Sequence, residues 1–313
     1  LFAIGDNEYA CISGYGNVTL ADFQKGTWAG ERLRSYDDAV YYDAEKCVQD
    51  RKDDNQCWAA VASNMLAYSG WGESGITSAT GDYAEDIIYD AYNAAFPNVG
   101  GMVEDALRWF FGPNYRSYSN SPTASKAGNY LHMEGSPYIT MNYMNSISAM
   151  DQLASALQAG MAVGLSISGS VRHAVTVWGY TFNAAKEKGT AGYYTGLFIT
   201  DSDNAKNVAD SRNAPDCLQL ISISWNAAHN GYYTSYAGSN RLDRFYTLDQ
   251  AANQQTADLT DAAYAQLPDD MLQEGRLDGL LAQAMEPTPA MFQAGAELAH
   301  DGRETRNTGM LCA

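Results

Sequence analysis

Between Met161 and Leu248 the sequence holds six segments rich in Val, Ile, Thr, Tyr and Trp, parted by turn residues. They are Met161–Ser168, His173–Phe182, Tyr193–Thr200, Cys217–Trp225, Gly231–Tyr236 and Arg244–Leu248. Segments of this length and composition, parted by turn residues, read as a run of antiparallel strands. Upstream the pattern is helical. Cys57–Tyr68 repeats small and apolar side chains at three- and four-residue spacing, Asp53, Asp54 and Asn55 supply capping candidates, and Ser69-Gly70-Trp71-Gly72 stops it. Ala84–Phe96, Met102–Phe111 and Met150–Ala159 are the further expected helices, with a loop-rich stretch up to about Tyr138, and residues 1–50 read as turns and short strands. Helices first and antiparallel sheet second is an α+β arrangement.

After Asp249 the composition shifts to Ala, Gln, Leu, Asp and Met, broken by Pro268, Pro287 and Pro289. The expected division is a main domain over 1–250 and a helical tail over 251–313. In the tail, Leu272, Leu277, Leu280, Leu281 and Met285 form an apolar face suited to docking.

Charge narrows the partners. Nineteen Lys plus Arg stand against 37 Asp plus Glu, a formal charge of −18. Nucleic acid needs a basic footprint, and anionic lipid repels such a chain. No apolar run approaches the ~20 residues that span a bilayer. A composition with 22 Tyr and few Lys and Arg leans toward export.

The five cysteines (Cys11, Cys47, Cys57, Cys217, Cys312) are irregularly spaced, which leaves room for one disulfide such as Cys11–Cys47 but forms no framework. Neither a Cys-x-x-Cys nor a His-x-x-x-His pair occurs, so zinc has no support. Asp201-Ser202-Asp203-Asn204 fails as a calcium loop, having Lys206 where Gly belongs and Arg212 where Glu belongs. Gly14-Tyr15-Gly16 opens no helix, so a dinucleotide fingerprint is unsupported. No metal or organic cofactor is expected.

Cys57 stands apart from the other cysteines. It begins a helix, where unpaired N–H groups and the positive end of the dipole favour a thiolate. Most free cysteines are small buried hydrophobes, and the other four keep that reading. A thiol nucleophile needs a base. His173 opens a strand, whereas His132 and His229 fall in loops and His300 in the tail. A hairpin centred near Glu187 would set His173 opposite Asp201, with Asp203 two residues away as the alternative. Such a set has the logic of a Cys–His–acid triad.

Several segments together carry a family resemblance. They are Tyr42-Asp43-Ala44-Glu45-Lys46, Lys52 to Ala60, Ala62-Ser63-Asn64-Met65-Leu66, Gly164-Leu165-Ser166, His173 to Gly179 and Thr200-Asp201-Ser202-Asp203. In this order they resemble the streptococcal immunoglobulin-degrading cysteine proteases (the IdeS or Mac family), over roughly Tyr42 to Leu248. The resemblance implies a papain-like fold and a secreted or surface-bound bacterial endopeptidase acting on a protein substrate, with immunoglobulin as the family's target. It implies Cys57 as nucleophile, His173 as base, Asp201 as its orienting group and Asp203 as a second acid in the site. The family places a lysine at the oxyanion hole. Lys46 matches it, with one residue more before the cysteine than the pattern has; Lys52 and Gln49 are the alternatives. Two other readings compete: a papain-superfamily amidase or acyl transferase on another target, and a protein-binding module without catalysis.

Overall fold

Small side chains decide how the first helix packs. Helix α1 (Cys57–Tyr68) buries an unbroken run from Trp58 to Ala67, which brings its backbone close to the sheet. At Gly164, in the strand Ala162–Gly169, an added Cβ would lie 2.7 Å from Val61 Cγ1 and 2.9 Å from Met65 Sδ. Only glycine lets helix and strand approach so closely. The computed structural model describes residues 2–12, 27–29, 41–49, 52–72, 84–112, 123–125, 128, 138–207 and 217–251. All belong to one unit, Leu1–Ala251; the expected tail beyond it, with its leucine face, lies outside the described residues.

Helices α2 (Ala84–Ala95) and α3 (Val103–Phe111) pack beside α1. Aromatic rings join them: Trp58 meets Phe96 edge-on at 5.1 Å, and Tyr92 lies 5.0 Å from Trp109. A fourth helix, α4 (Ala149–Gln158), buries Met150, Leu153 and Leu157.

The strands are β1 (Phe2–Ala3), β2 (Glu8–Ile12), β3 (Thr27–Ala29), β4 (Ile139–Tyr143), β5 (Ala162–Gly169), β6 (Arg172–Asn183), β7 (Tyr194–Thr200), β8 (Cys217–Asn226), β9 (Gly231–Thr234) and β10 (Asn240–Leu248). Every pairing is antiparallel. Six of the strands close on themselves, because β5 pairs β6, β6 pairs β7, and the chain of neighbours runs through β8, β9 and β10 back to β5. Closure leaves these strands no free edge. Strand β4 adds to β10, β2 to β6 and β3 to β8.

Alternation sorts the side chains into two cores. Val163, Leu165, Ile167, Val175, Val177, Leu197 and Ile199 gather with α4. Ala162, Ala174, Trp178, Phe198 and Tyr246 face the other way and pack with α1, α2 and α3. The architecture is α+β, as expected. No helix among the described residues is long and apolar enough to cross a membrane.

Two expectations are corrected. The cap of α1 is Gln56, without a side-chain cap bond. Asp53 is instead a brace, accepting from the Cys47 amide (2.9 Å) and the Tyr89 hydroxyl (2.9 Å). Cys11 is disulfide-bonded while Cys47 is a free thiol, so the bridge is not Cys11–Cys47. Strand β4 lies in a stretch the sequence reading left unassigned; Ile139, Met141 and Tyr143 alternate there with Thr140 and Asn142, and the strand pairs with β10.

Candidate active site

Cys57 is the first residue of α1, so its own N–H lies in the turn that lacks intrahelical acceptors. Two segments flank it. Residues 41–47 are buried throughout and pair with the loop after β7: Lys46 N–H donates to Ser202 O (3.1 Å) and Val48 N–H to Lys206 O (3.0 Å). Asn64, buried on α1, accepts from Ala44 N–H (2.8 Å) and donates to Thr176 Oγ1 on β6 (3.0 Å). One amide therefore fixes the lysine strip and the histidine strand to the helix that bears the thiol.

His173 sits near the start of β6. Its Nε2 lies 2.6 Å from Asp201 Oδ1, and the Cys57 thiol interacts with the same imidazole. The expected register is off by two: Thr176 pairs with Thr200, a ladder that would run on to His173 opposite Asp203. The ladder stops at Thr200, and the turn that follows delivers Asp201 to the imidazole instead. Asp201 Oδ1 also accepts the Asp203 amide at 3.0 Å, and Oδ2 accepts the Tyr236 hydroxyl.

The electrostatics favour an ion pair. Burial pushes the Cys57 thiol up, but the hydrogen bond and charge of His173, the charge of Lys46 and the Ala174 amide outweigh it and hold the thiol below its ordinary value. Burial likewise opposes charge on His173. The hydrogen bonds to Asp201 and Cys57 win, and the imidazole is raised to about 10. Asp201, desolvated yet bonded to His173, Tyr236 and the Asp203 amide, is held below the usual carboxylate range.

Lys46 is 1% exposed and lines the cleft. Its ammonium donates to Asp54 O (2.6 Å) and pairs with Asp203. Lys206, which the sequence did not single out, bridges Asp54 Oδ1 and Asp203 Oδ2 at 2.8 Å each. Among the alternatives, Lys52 is exposed with a positive φ of 55°, and the Gln49 amide turns to Asn207 O (3.0 Å). Neither lines the cleft. His229 sits in the turn between β8 and β9, also off the cleft, and His132 lies outside the described residues.

These groups share a cleft of about 1220 Å³. One wall is Cys57 with Gly100, Gly101 and Met102; the other is built from β5, β6 and β10 residues such as Ser166, Ile167, His173 and Arg244. Arg244 lies 5.1 Å over the exposed Tyr143 ring. Of the large hydrophobics exposed among the described residues (Val99, Tyr143, Val171), two line this cleft and Val99 precedes its Gly100 wall.

The His173, Asp201 and Asp203 donor atoms lie within 4.8 Å of one another, a spacing that suits a cation. Each carboxylate oxygen already faces a donor or an ammonium, from His173, Tyr236, Lys46 or Lys206. The cluster is therefore charge-compensated by side chains and does not fit a metal centre. Neither the protein-family models nor the curated proteins contain a match to this chain.

Proposed function

We propose that this chain is a secreted cysteine endopeptidase of papain-like architecture. The observation that supports it most directly is the placement of Cys57, at a helix start, beside the hydrogen-bonded pair His173–Asp201 in one open cleft. In this reading the Cys57 thiolate, held by the His173 imidazolium, attacks a peptide carbonyl carbon. The carbonyl oxygen becomes an oxyanion, met by the Cys57 N–H and the Lys46 ammonium. The His173 proton passes to the departing amine, leaving an acyl-thioester. Water, deprotonated by His173, then releases the acid and restores the thiolate. Asp201 keeps the imidazole oriented throughout.

Gly100 and Gly101 expose bare backbone on one wall, and the apolar rim suits side chains of an extended polypeptide. The disulfide at Cys11 supports an oxidising compartment, in keeping with secretion. Immunoglobulins are the first substrates to try, because the Cys57, His173 and Asp201 segments resemble that protease family. Incubation with immunoglobulins of several classes and a panel of unrelated proteins, followed by mass spectrometry of new termini, tests the proposal. Cleavage that disappears in Cys57→Ala supports it; no new termini from any protein, with a folded wild type, would sink it.

A further inference from the structure

Tyr236 belongs to the turn between β9 and β10, far in sequence from the proposed reacting residues, yet it reaches the carboxylate that orients the imidazole. Asp201 is 3% exposed. Its Oδ1 is taken by His173 Nε2 and the Asp203 amide, and the Tyr236 hydroxyl is the donor on Oδ2. The turn is held for this task. Ala237 and Gly238 adopt φ values of 52° and 109°, which fold the turn back toward residues 168–171. There Ser170 N–H donates to Ser239 O (3.2 Å) and Ser239 N–H to Ser170 Oγ (3.1 Å). Asn240 closes the clasp: its Nδ2 donates to Tyr236 O (2.7 Å), while its Oδ1 accepts the Val171 amide (3.1 Å). One buried side chain thus sets the backbone of Tyr236 and the chain two residues before His173 in a common frame.

We propose that Tyr236 is a positioning residue for the reaction, gripping Asp201 Oδ2 so that Oδ1 stays aimed at His173. The inference rests on the reading of Cys57, His173 and Asp201 as the reacting unit. A buried carboxylate that loses a hydroxyl donor is costlier to keep ionised and takes up its proton at higher pH. Protonated Asp201 no longer supports the imidazolium, and the Cys57 thiolate loses its counter-charge. The other charged groups around the pair are Lys46, Lys206, Asp43, Asp54 and Asp203, and Tyr236→Phe leaves all of them in place.

The test is the rate of Cys57 alkylation by iodoacetamide against pH, which needs no substrate. Wild type, Tyr236→Phe, Asn240→Ala, Asp201→Asn and the Tyr236→Phe/Asp201→Asn double variant are compared. Tyr236→Phe should slow alkylation at neutral pH several-fold and move the acid-side midpoint up by about one unit. Asn240→Ala, which frees the turn but keeps the phenol, should move it the same way by less. On the Asp201→Asn background, Tyr236→Phe should change nothing further. Profiles of both turn variants that superimpose on wild type would overturn the inference, as would an equal effect of Tyr236→Phe with and without Asp201. Fast wild-type alkylation with unmoved variants defeats only Tyr236's role; wild-type Cys57 reacting no faster than Cys217 defeats the nucleophile reading as well.

Discussion

Asn64 and Thr176 are hydrogen-bonded at 3.0 Å, seven residues after Cys57 and three after His173. This contact ties the helix bearing the thiol to the strand bearing the imidazole. The other end of the Asn64 amide holds Ala44 N–H, two residues before Lys46. Replacing Asn64 with Leu removes both bonds and strands the buried Ala44 amide. Stability should fall by about 1–3 kcal/mol, seen in the urea midpoint, and Cys57 alkylation should slow even well below that midpoint. An unchanged alkylation rate would show that the three strips keep their places without the amide.

The pH dependence follows from two opposed shifts. His173 is raised above its ordinary 6.5 to about 10, so its charge persists through neutrality and is lost as pH rises through that value. Cys57 is held below its ordinary 9.0, so the thiolate persists until pH falls through the depressed value. The kcat/KM profile should therefore show a broad plateau across pH 7 bounded on both sides, whereas alkylation, which needs only the thiolate, should be bounded on the acid side alone. A single rise centred near 9.0 would mean that Cys57 titrates as an isolated thiol. Cys217, raised to about 11 by burial and by Asp43 and Glu45, should react far more slowly and serves as the internal reference.

His173→Ala and Asp201→Ala should each lower turnover by orders of magnitude, and the double variant should be little worse than His173→Ala alone. Fully multiplicative losses would show that the 2.6 Å contact does not couple them.

Lys46→Ala should lower kcat by about 10²–10³, whereas Lys52→Ala, exposed and off the cleft, should stay near wild type. Removing Lys206 tests the neighbouring charge: with Asp203 bridged only by Lys46, the ammonium is drawn toward the carboxylate, and kcat should fall with KM little changed. A reversed ranking of Lys46 and Lys52 would reassign the oxyanion donor.

Helix α1 was legible because its pattern of small residues and its stop signal are local, and its observed span is the expected Cys57–Tyr68. The six later strands were legible for the same reason, with ends shifted by up to four residues. Register was not. The ladder between β6 and β7 contains irregularities at Val177/Gly179 and at Thr181/Phe182, and such displacements leave no trace in an apolar–polar pattern. The sequence nominated Cys57, His173, Asp201, Asp203 and Lys46, and the structure brings all five to one cleft. Lys206, Asn64 and Tyr236 stayed hidden. A lysine in a polar loop, an asparagine in a helix and a tyrosine among many have no local signature; the Asp54, Thr176 and Asp201 groups they meet lie 152, 112 and 35 residues away.

Strand β2 places the disulfide-bonded Cys11 opposite Tyr180, on the same strand β6 that begins beside His173. Reductant therefore acts on this chain in two opposite directions. It regenerates a Cys57 thiol lost to sulfenic acid or mixed disulfides, and it severs the cross-link at the far end of the strand that bears His173. Cys11 is only 5% exposed, so the first effect should appear at low doses and the second at high ones. Activity should pass through an optimum in dithiothreitol concentration, a bell-shaped redox response in which over-reduction inactivates as surely as oxidation.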